Sequence, residues 1–214
     1  MRELLFRVAD GCMAEAIAGV FDRTAWERVI RCRRFDFDSR RDVKVAAGRN
    51  DCGLFSEGCE LVRPFFGEYR RVVMIVDEAW DGSPGAVAIE AKLREHLSRA
   101  GWSEDDALPL VVCPEVDNWL WSDSPHSANA LGWQSWNDLR LALVEEGWLT
   151  DDQTKPVQPK EAAEWAVRKA KLKGGRSATL YRKVSSQVSL SRCTDAALSR
   201  LLGQLRTWFP MEGA

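Results

Sequence analysis

Arg71-Val72-Val73-Met74-Ile75-Val76-Asp77-Glu78-Ala79-Trp80-Asp81-Gly82-Ser83-Pro84-Gly85 holds a short apolar run that ends abruptly in carboxylates and turn residues. Its five consecutive apolar residues, mostly β-branched and stopped by Gly and Pro, suit a central strand of a sheet covered on both faces. Asp77 then stands at the carboxyl end of that strand. In open α/β sheets ligands bind at that end, because the loops leaving the strands splay apart and leave a crevice. Asp77, Glu78 and Asp81 are therefore placed where a metal can reach them. The plainer reading is a strand-to-helix turn in which Asp81 or Ser83 caps a helix beginning near Gly85. This stretch alone leaves both readings open.

Upstream, Glu3 to Ala9 reads as a first strand, broken by Asp10-Gly11 before the helical spacing of Met13, Ile17, Val20 and Phe21. Trp26 to Phe37 mixes Val29, Ile30, Phe35 and Phe37 with arginines, the pattern of a more exposed second strand and its exit. Arg40 to Gly53, with Gly48, Asn50 and Asp51, is a polar loop leading into a helix around Leu54 to Phe66. Downstream, Val87, Ile89, Leu93 and Leu97 mark one face of a helix over Ala86 to Ala100, with Gly101 as its stop. Leu108 to Cys113 is another apolar strand running into Pro114-Glu115-Val116-Asp117-Asn118-Trp119. Three strands thus deliver carboxylates, near Asp10, Asp77 and Glu115, to what a parallel βαβ order makes one edge. From Trp133 onward the periodicity is helical, with a basic run from Arg168 to Arg176 and an amphipathic helix over Thr194 to Phe209.

The chain has 214 residues, 45% of them hydrophobic, and a formal net charge of −2, which fits a globular α/β protein and argues against coating nucleic acid by bulk charge. A local patch can still grip a backbone. No apolar run reaches the roughly 18 residues needed to span a bilayer, and the start lacks a signal-peptide arrangement, so a cytoplasmic location without membrane contact is expected. Six scattered cysteines form no CxxC pair and are expected to be reduced and mostly buried. Ten tryptophans, spread along the chain, are read as core and interface packing. No GxxxxGK[ST] and no GxGxxG after a strand is present, which leaves nucleotide-binding or phosphotransfer chemistry without support. His96 falls within a helical pattern and His126 in a Ser/Pro/Asn stretch, where packing or surface roles are expected.

This arrangement resembles the Toprim fold, the metal-binding α/β module of topoisomerases, primases and the overcoming-lysogenization-defect type nucleases. The closer likeness is to small bacterial Toprim-like proteins that tend to accompany anti-phage defence genes. The corresponding positions look like Asp10-Gly11 after the first strand, Asp77 to Asp81 after a central strand, and Glu115 to Trp119 after the next. Lys155-Pro156, Ser177 to Arg182, Val188 to Cys193 and Leu205 to Phe209 resemble the tail of that group. Two departures stand out. The first acid is usually Glu, whereas Asp10 is one methylene shorter. The usual Asp-x-Asp is here Asp77-Glu78-Ala79, with Asp81 the nearest substitute.

The expectation is a Toprim-like (Rossmann-like), mostly parallel sheet flanked by helices over residues 1–132, with a C-terminal helical region over 133–214 packed on it. The resemblance implies Mg²⁺ or Mn²⁺ held by Asp10, Asp77, Glu78, Asp81, Glu115 and Asp117. Hard cations of this kind bind carboxylate and water oxygens together with substrate phosphates. Asp10, Asp77 and Asp81 would then serve phosphodiester cleavage, and Asp10 inherits a general acid/base role from the resemblance alone. Nucleic acid, other defence-system proteins and a second copy of the chain are the partners expected. The rival expectation is a catalytically degenerate scaffold that acts as a binding subunit of a multi-protein defence complex.

Overall fold

A computed structural model describes residues 1–46 and 50–211, with Arg192 described in its backbone only. Gly48, part of the polar loop read from the sequence, lies outside the described residues. Four parallel strands, β1 (Arg2–Val8), β2 (Val43–Val45), β3 (Tyr69–Asp77) and β4 (Ala107–Val112), form one sheet in the order β2-β1-β3-β4. The architecture is α/β and Rossmann-like, with helices flanking an all-parallel sheet. β1 and β3 are central, and the apolar residues Leu4, Leu5, Phe6, Val72, Val73, Met74, Ile75 and Val76 are buried on both faces.

The helices are α1 (Gly11–Phe21), α2 (Trp26–Ile30), α3 (Ser39–Asp42), α4 (Asp51–Val62), α5 (Ala86–Ala100), α6 (Pro125–Ala130), α7 (Trp136–Glu145), α8 (Pro159–Lys169), α9 (Ala178–Ser185) and α10 (Ala196–Trp208). With this strand order, the right-handed crossovers usual for parallel strands place α1 on one face of the sheet and α4 and α5 on the other. α9 packs along α1, α4 against α5, and α10 against β4. The chain leaves β1 toward β2 but leaves β3 toward β4. The strand order therefore reverses between β1 and β3, and an open α/β sheet offers a crevice at that switch point.

The second strand is not where the Trp26 to Phe37 pattern places it. Trp26–Ile30 is helical, and Phe35 and Phe37 enter an aromatic cluster with Phe6, Phe21, Trp26 and Phe209. Their period-two spacing serves that cluster rather than a ladder. The true β2 is the three-residue Val-Lys-Val within the stretch read as polar loop, too short to show a period. Arg7, buried beneath it, donates to Lys44 O and Val45 O at 3.1 and 2.7 Å.

All ten tryptophans are buried or partly buried. Several use the indole N–H to fasten the chain: Trp121 to Pro159 O at 3.0 Å, Trp133 to Ala166 O at 3.1 Å and Trp208 to Asp105 O at 2.6 Å. The cysteines are all free, but only Cys32 and Cys59 are buried, while Cys52 and Cys113 are exposed. The expectation of mostly buried cysteines fails because these latter two sit at helix and strand ends, where the backbone meets solvent. No helix among the described residues is long and apolar enough to cross a membrane.

Candidate functional site

Every strand is followed by an acid at the carboxyl edge: Asp10 after β1, Asp51 after β2, Asp77 closing β3 and Glu115 after β4. The β1–β3 register ends at Val8 opposite Ile75, so Asp10 and Asp77 each follow two residues beyond the last pair at the switch point. Asp10 is the N-cap of α1, its Oδ1 accepting from Met13 N at 2.8 Å. Asp51 opens α4 and its Oδ1 accepts from the backbone N–H of Asp77 at 2.7 Å. Asp77 is only 7% exposed, and its Oδ1 accepts from Val116 N at 2.8 Å. Glu115 Oε1 accepts from Lys160 N at 3.2 Å, at the start of α8. Each carboxylate thus has one oxygen fixed by backbone, which sets its position.

The electrostatics of the group follow from this crowding. Burial holds the Asp77 carboxyl well above the usual range, and the charges of Asp51, Asp10 and Glu115 push it further. Asp51 is raised by burial and by Asp10. Burial, with Asp117 beside it, pushes Glu115 up to about 7. Carboxylates arranged so that they oppose one another's ionisation attract a cation or retain protons.

Asp117 has a different environment. It is 3% exposed, and its Oδ1 accepts from Tyr181 OH at 2.5 Å and Arg176 Nη1 at 3.0 Å. Burial still raises it, against the opposing pull of Tyr181 and Arg176. Its charge reaches both Asp10 and Glu115, so it borders the group while being tied to α9. The segment carrying it is pinned further by Lys155 Nζ donating to Asn118 O at 3.0 Å and by Asn118 Nδ2 donating to Asp195 at 2.9 Å. The Lys155-Pro156 stretch therefore braces the exit of β4.

Of the acids expected from sequence, Asp10 and Glu115 stand near enough for their charges to act on Asp77, with Asp117 acting on Glu115. Glu78 turns away: its Oε1 accepts from Ala86 N at 3.1 Å and caps α5, the task that the plainer reading gave to Asp81 or Ser83. Ser83 accepts from Gly85 N at 3.3 Å, and Asp81 is exposed in the turn and is not among the leading charges on Asp77. Asp51 is the member that sequence reading missed. Its signal was Asn50-Asp51 ahead of a helical pattern, the composition of a cap, with nothing to show which strand it followed.

The donor set, hard oxygens at a switch point, matches the chemistry of Mg²⁺, which commonly takes one or two carboxylates and fills its shell with water and phosphate. A closed protein cage is a different matter. Among the described residues no three of His, Cys, Asp and Glu are grouped to hold a metal by themselves. A cavity of about 500 Å³ is lined by Trp119, Trp121, Trp136, Leu190 and Leu198 among others.

No family model matches the chain, and comparisons with curated proteins and with solved structures likewise find no match.

Proposed function

We propose that the protein is a Toprim-like, metal-dependent phosphodiesterase acting on nucleic acid, in the setting of bacterial anti-phage defence that its sequence resemblance implies. The observation that carries the chemistry is the convergence of Asp10, Asp51, Asp77 and Glu115 on the carboxyl edge, where the charges of the other three act on Asp77 at the β1–β3 switch point. Asp10 and Asp77, with Asp51 beside them, would hold Mg²⁺ or Mn²⁺. When bound, such an ion orients a scissile phosphate, spreads its developing charge and lowers the pKa of an attacking water. Glu115, with a carboxyl poised at about 7, is the group matched to proton transfer at neutral pH. Backbone bonds to Asp77 and Glu115 keep both carboxylates aimed without reorganisation.

A second reading, a scaffold that binds without cutting, is favoured by Glu78 and Asp81 standing away from the group and by the lack of a three-ligand cage among the described residues. Calorimetry with Mg²⁺ and Mn²⁺ on the wild type and Asp77→Asn, alongside cleavage of single- and double-stranded DNA and RNA, separates the two. Metal binding and cleavage that both disappear in the variant support the nuclease. A folded wild type that binds no metal at millimolar concentration supports the scaffold.

A further inference from the structure

Residues 155–183 carry nine Lys and Arg against two acids, in a chain whose net charge is −2. The turn between α8 and α9 gathers part of this charge into a cleft of about 540 Å³ lined by Glu164, Val167, Arg168, Lys171, Leu172 and Arg176 among others. Lys169, on the same turn, is engaged by Glu146 at 3.4 Å and lies over the Trp165 ring. Arg168 and Lys171 are exposed, and their side chains have no ion pair among the described residues. Arg176 is different again. Its side chain is 18% exposed, its Nη1 holds Asp117 at 3.0 Å, and its Nε lacks a hydrogen-bond partner among the described residues, with Glu164 at 3.5 Å its nearest counter-charge. Through Asp117 the cleft adjoins the carboxylate edge, and Lys160, whose backbone holds Glu115, continues the cationic surface from the other end of α8.

Unpaired cations next to a group of mutually repelling carboxylates are the complementary halves of a site for an extended polyanion. One phosphate is to be cut at the acids, and its neighbours must be neutralised nearby. Arg176, fixed by Asp117, Tyr181 and Glu164, walls the cleft, while the exposed Arg168 and Lys171 keep their donors free for phosphates. We infer that the α8–α9 cleft, through Arg168 and Lys171 beside the fixed Arg176, is the backbone-phosphate subsite for a single nucleic-acid strand whose scissile linkage lies at the Asp10–Asp77 edge. This assignment rests on the nuclease reading and adds to it the direction in which the strand runs, from the switch point along the Asp117 segment toward α8. Single strands suit it better than duplexes, because one cleft of this size tracks one backbone.

The test uses the full chain in EDTA, with a short fluorescein-labelled single-stranded DNA and the matching RNA as probes. Anisotropy is followed as a function of salt for the wild type, Arg168→Ala/Lys171→Ala and, as a control at the opposite edge of the sheet, Arg70→Ala. Losing two phosphate contacts should flatten the log-affinity against log-salt slope by about 1.4, at about 0.7 per contact for single strands, while the control keeps the wild-type slope. Both altered residues are exposed, so circular dichroism should report an unchanged fold. The subsite is overturned if the wild type fails to bind either probe at about 50 mM salt, or if the double variant keeps the full slope. It is also overturned if poly-glutamate competes as well as an oligonucleotide of equal charge, which would mark an acidic-protein surface. Mg²⁺ calorimetry on the wild type, set beside the strand-binding result, distinguishes this assignment from the reading beneath it. Strand binding retained while the wild type binds no metal removes the nuclease and leaves the cleft, whereas metal binding intact with no effect of the double variant removes the cleft and leaves the nuclease.

Discussion

The backbone N–H of Val116 donates to Asp77 Oδ1 at 2.8 Å, joining the exit of β4 to the last residue of β3. That bond favours the ionised carboxylate, but burial and three neighbouring acids oppose ionisation and prevail. Asp77 therefore sits at the point where the strand ends are tied together and where their charges conflict most.

Stability without metal should record that conflict. The folded protein holds a proton on Asp77 more tightly than the unfolded chain, whose ordinary value is near 3.8. From that pH up to the raised folded value, stability falls as pH rises, and above it the loss is complete. Glu115 adds the same sign between 4.5 and about 7. Asn at position 77 keeps an oxygen for Val116 and cannot ionise. In EDTA, Asp77→Asn should melt above the wild type at pH 8, with the gap closing as pH approaches about 4. Equal melting temperatures at both pH values would show that ionisation of Asp77 does not oppose folding.

Metal dependence should separate Asp51 from Asp81. Asp51 fixes the backbone of Asp77 and adds charge to it, whereas Asp81 is exposed in the turn. Under the nuclease reading Mg²⁺ raises the melting temperature of the wild type by binding the folded state. Asp51→Asn should weaken that effect by about 10–100-fold in apparent affinity, as loss of a positioning partner commonly does, while Asp81→Asn should leave it unchanged. The reverse ranking, read by thermal shift across a Mg²⁺ titration, would restore the role given to Asp81 by its place in the sequence.

Asp51 and Asp81 also show how far the chain could be read unaided. The apolar run before Asp77 and the strands ending at Asp10 and Glu115 were legible because a buried parallel strand has a continuous signal and a sharp polar stop. Parallel pairing then puts those stops on one edge without further information. β2 was not legible. Three residues at a sheet edge carry no period, and the spacing of Phe35 and Phe37 imitated a strand for reasons of ring packing. With β2 misplaced, Asp51 had no strand to follow. The direction of Glu78 was equally hidden, because a glutamate two turns ahead of a helix either caps it or points away, and only the backbone path decides.

Tyr181 holds Asp117 by a hydrogen bond of 2.5 Å in a buried setting, shared with Arg176. Tyr181→Phe keeps the ring and removes the donor to a charged acceptor. The expected cost is about 1.5–3 kcal/mol in urea unfolding, with an unchanged denaturant slope. A loss below about 0.5 kcal/mol would mean that Arg176 alone satisfies Asp117.

Two glycines test whether the contact between α1 and α9 is as close as the structure has it. A Cβ at Gly19 would stand 2.0 Å from Ser185 Oγ and 2.5 Å from the backbone oxygen of Arg182. Rotating Ser185 clears the first contact but not the second, and Arg23 donates to Ser185 O and Val188 O, which holds the end of α9 against the first helix. Gly203, in α10, has nothing within 4 Å of the same added atom. Alanine is favoured over glycine inside a helix by about 1 kcal/mol, so Gly203→Ala should stabilise by up to that amount. Gly19→Ala should instead destabilise by about 1–3 kcal/mol, the usual cost of overpacking, despite the same gain in propensity. Because α1 starts at Asp10 and α9 carries Tyr181 onto Asp117, the strain should also reach the carboxylate edge and lower Mg²⁺ affinity in the Gly19 variant alone. Should both alanines stabilise equally in urea, α9 does not rest on α1 at this distance, and the bracing of Asp117 from that side falls with it.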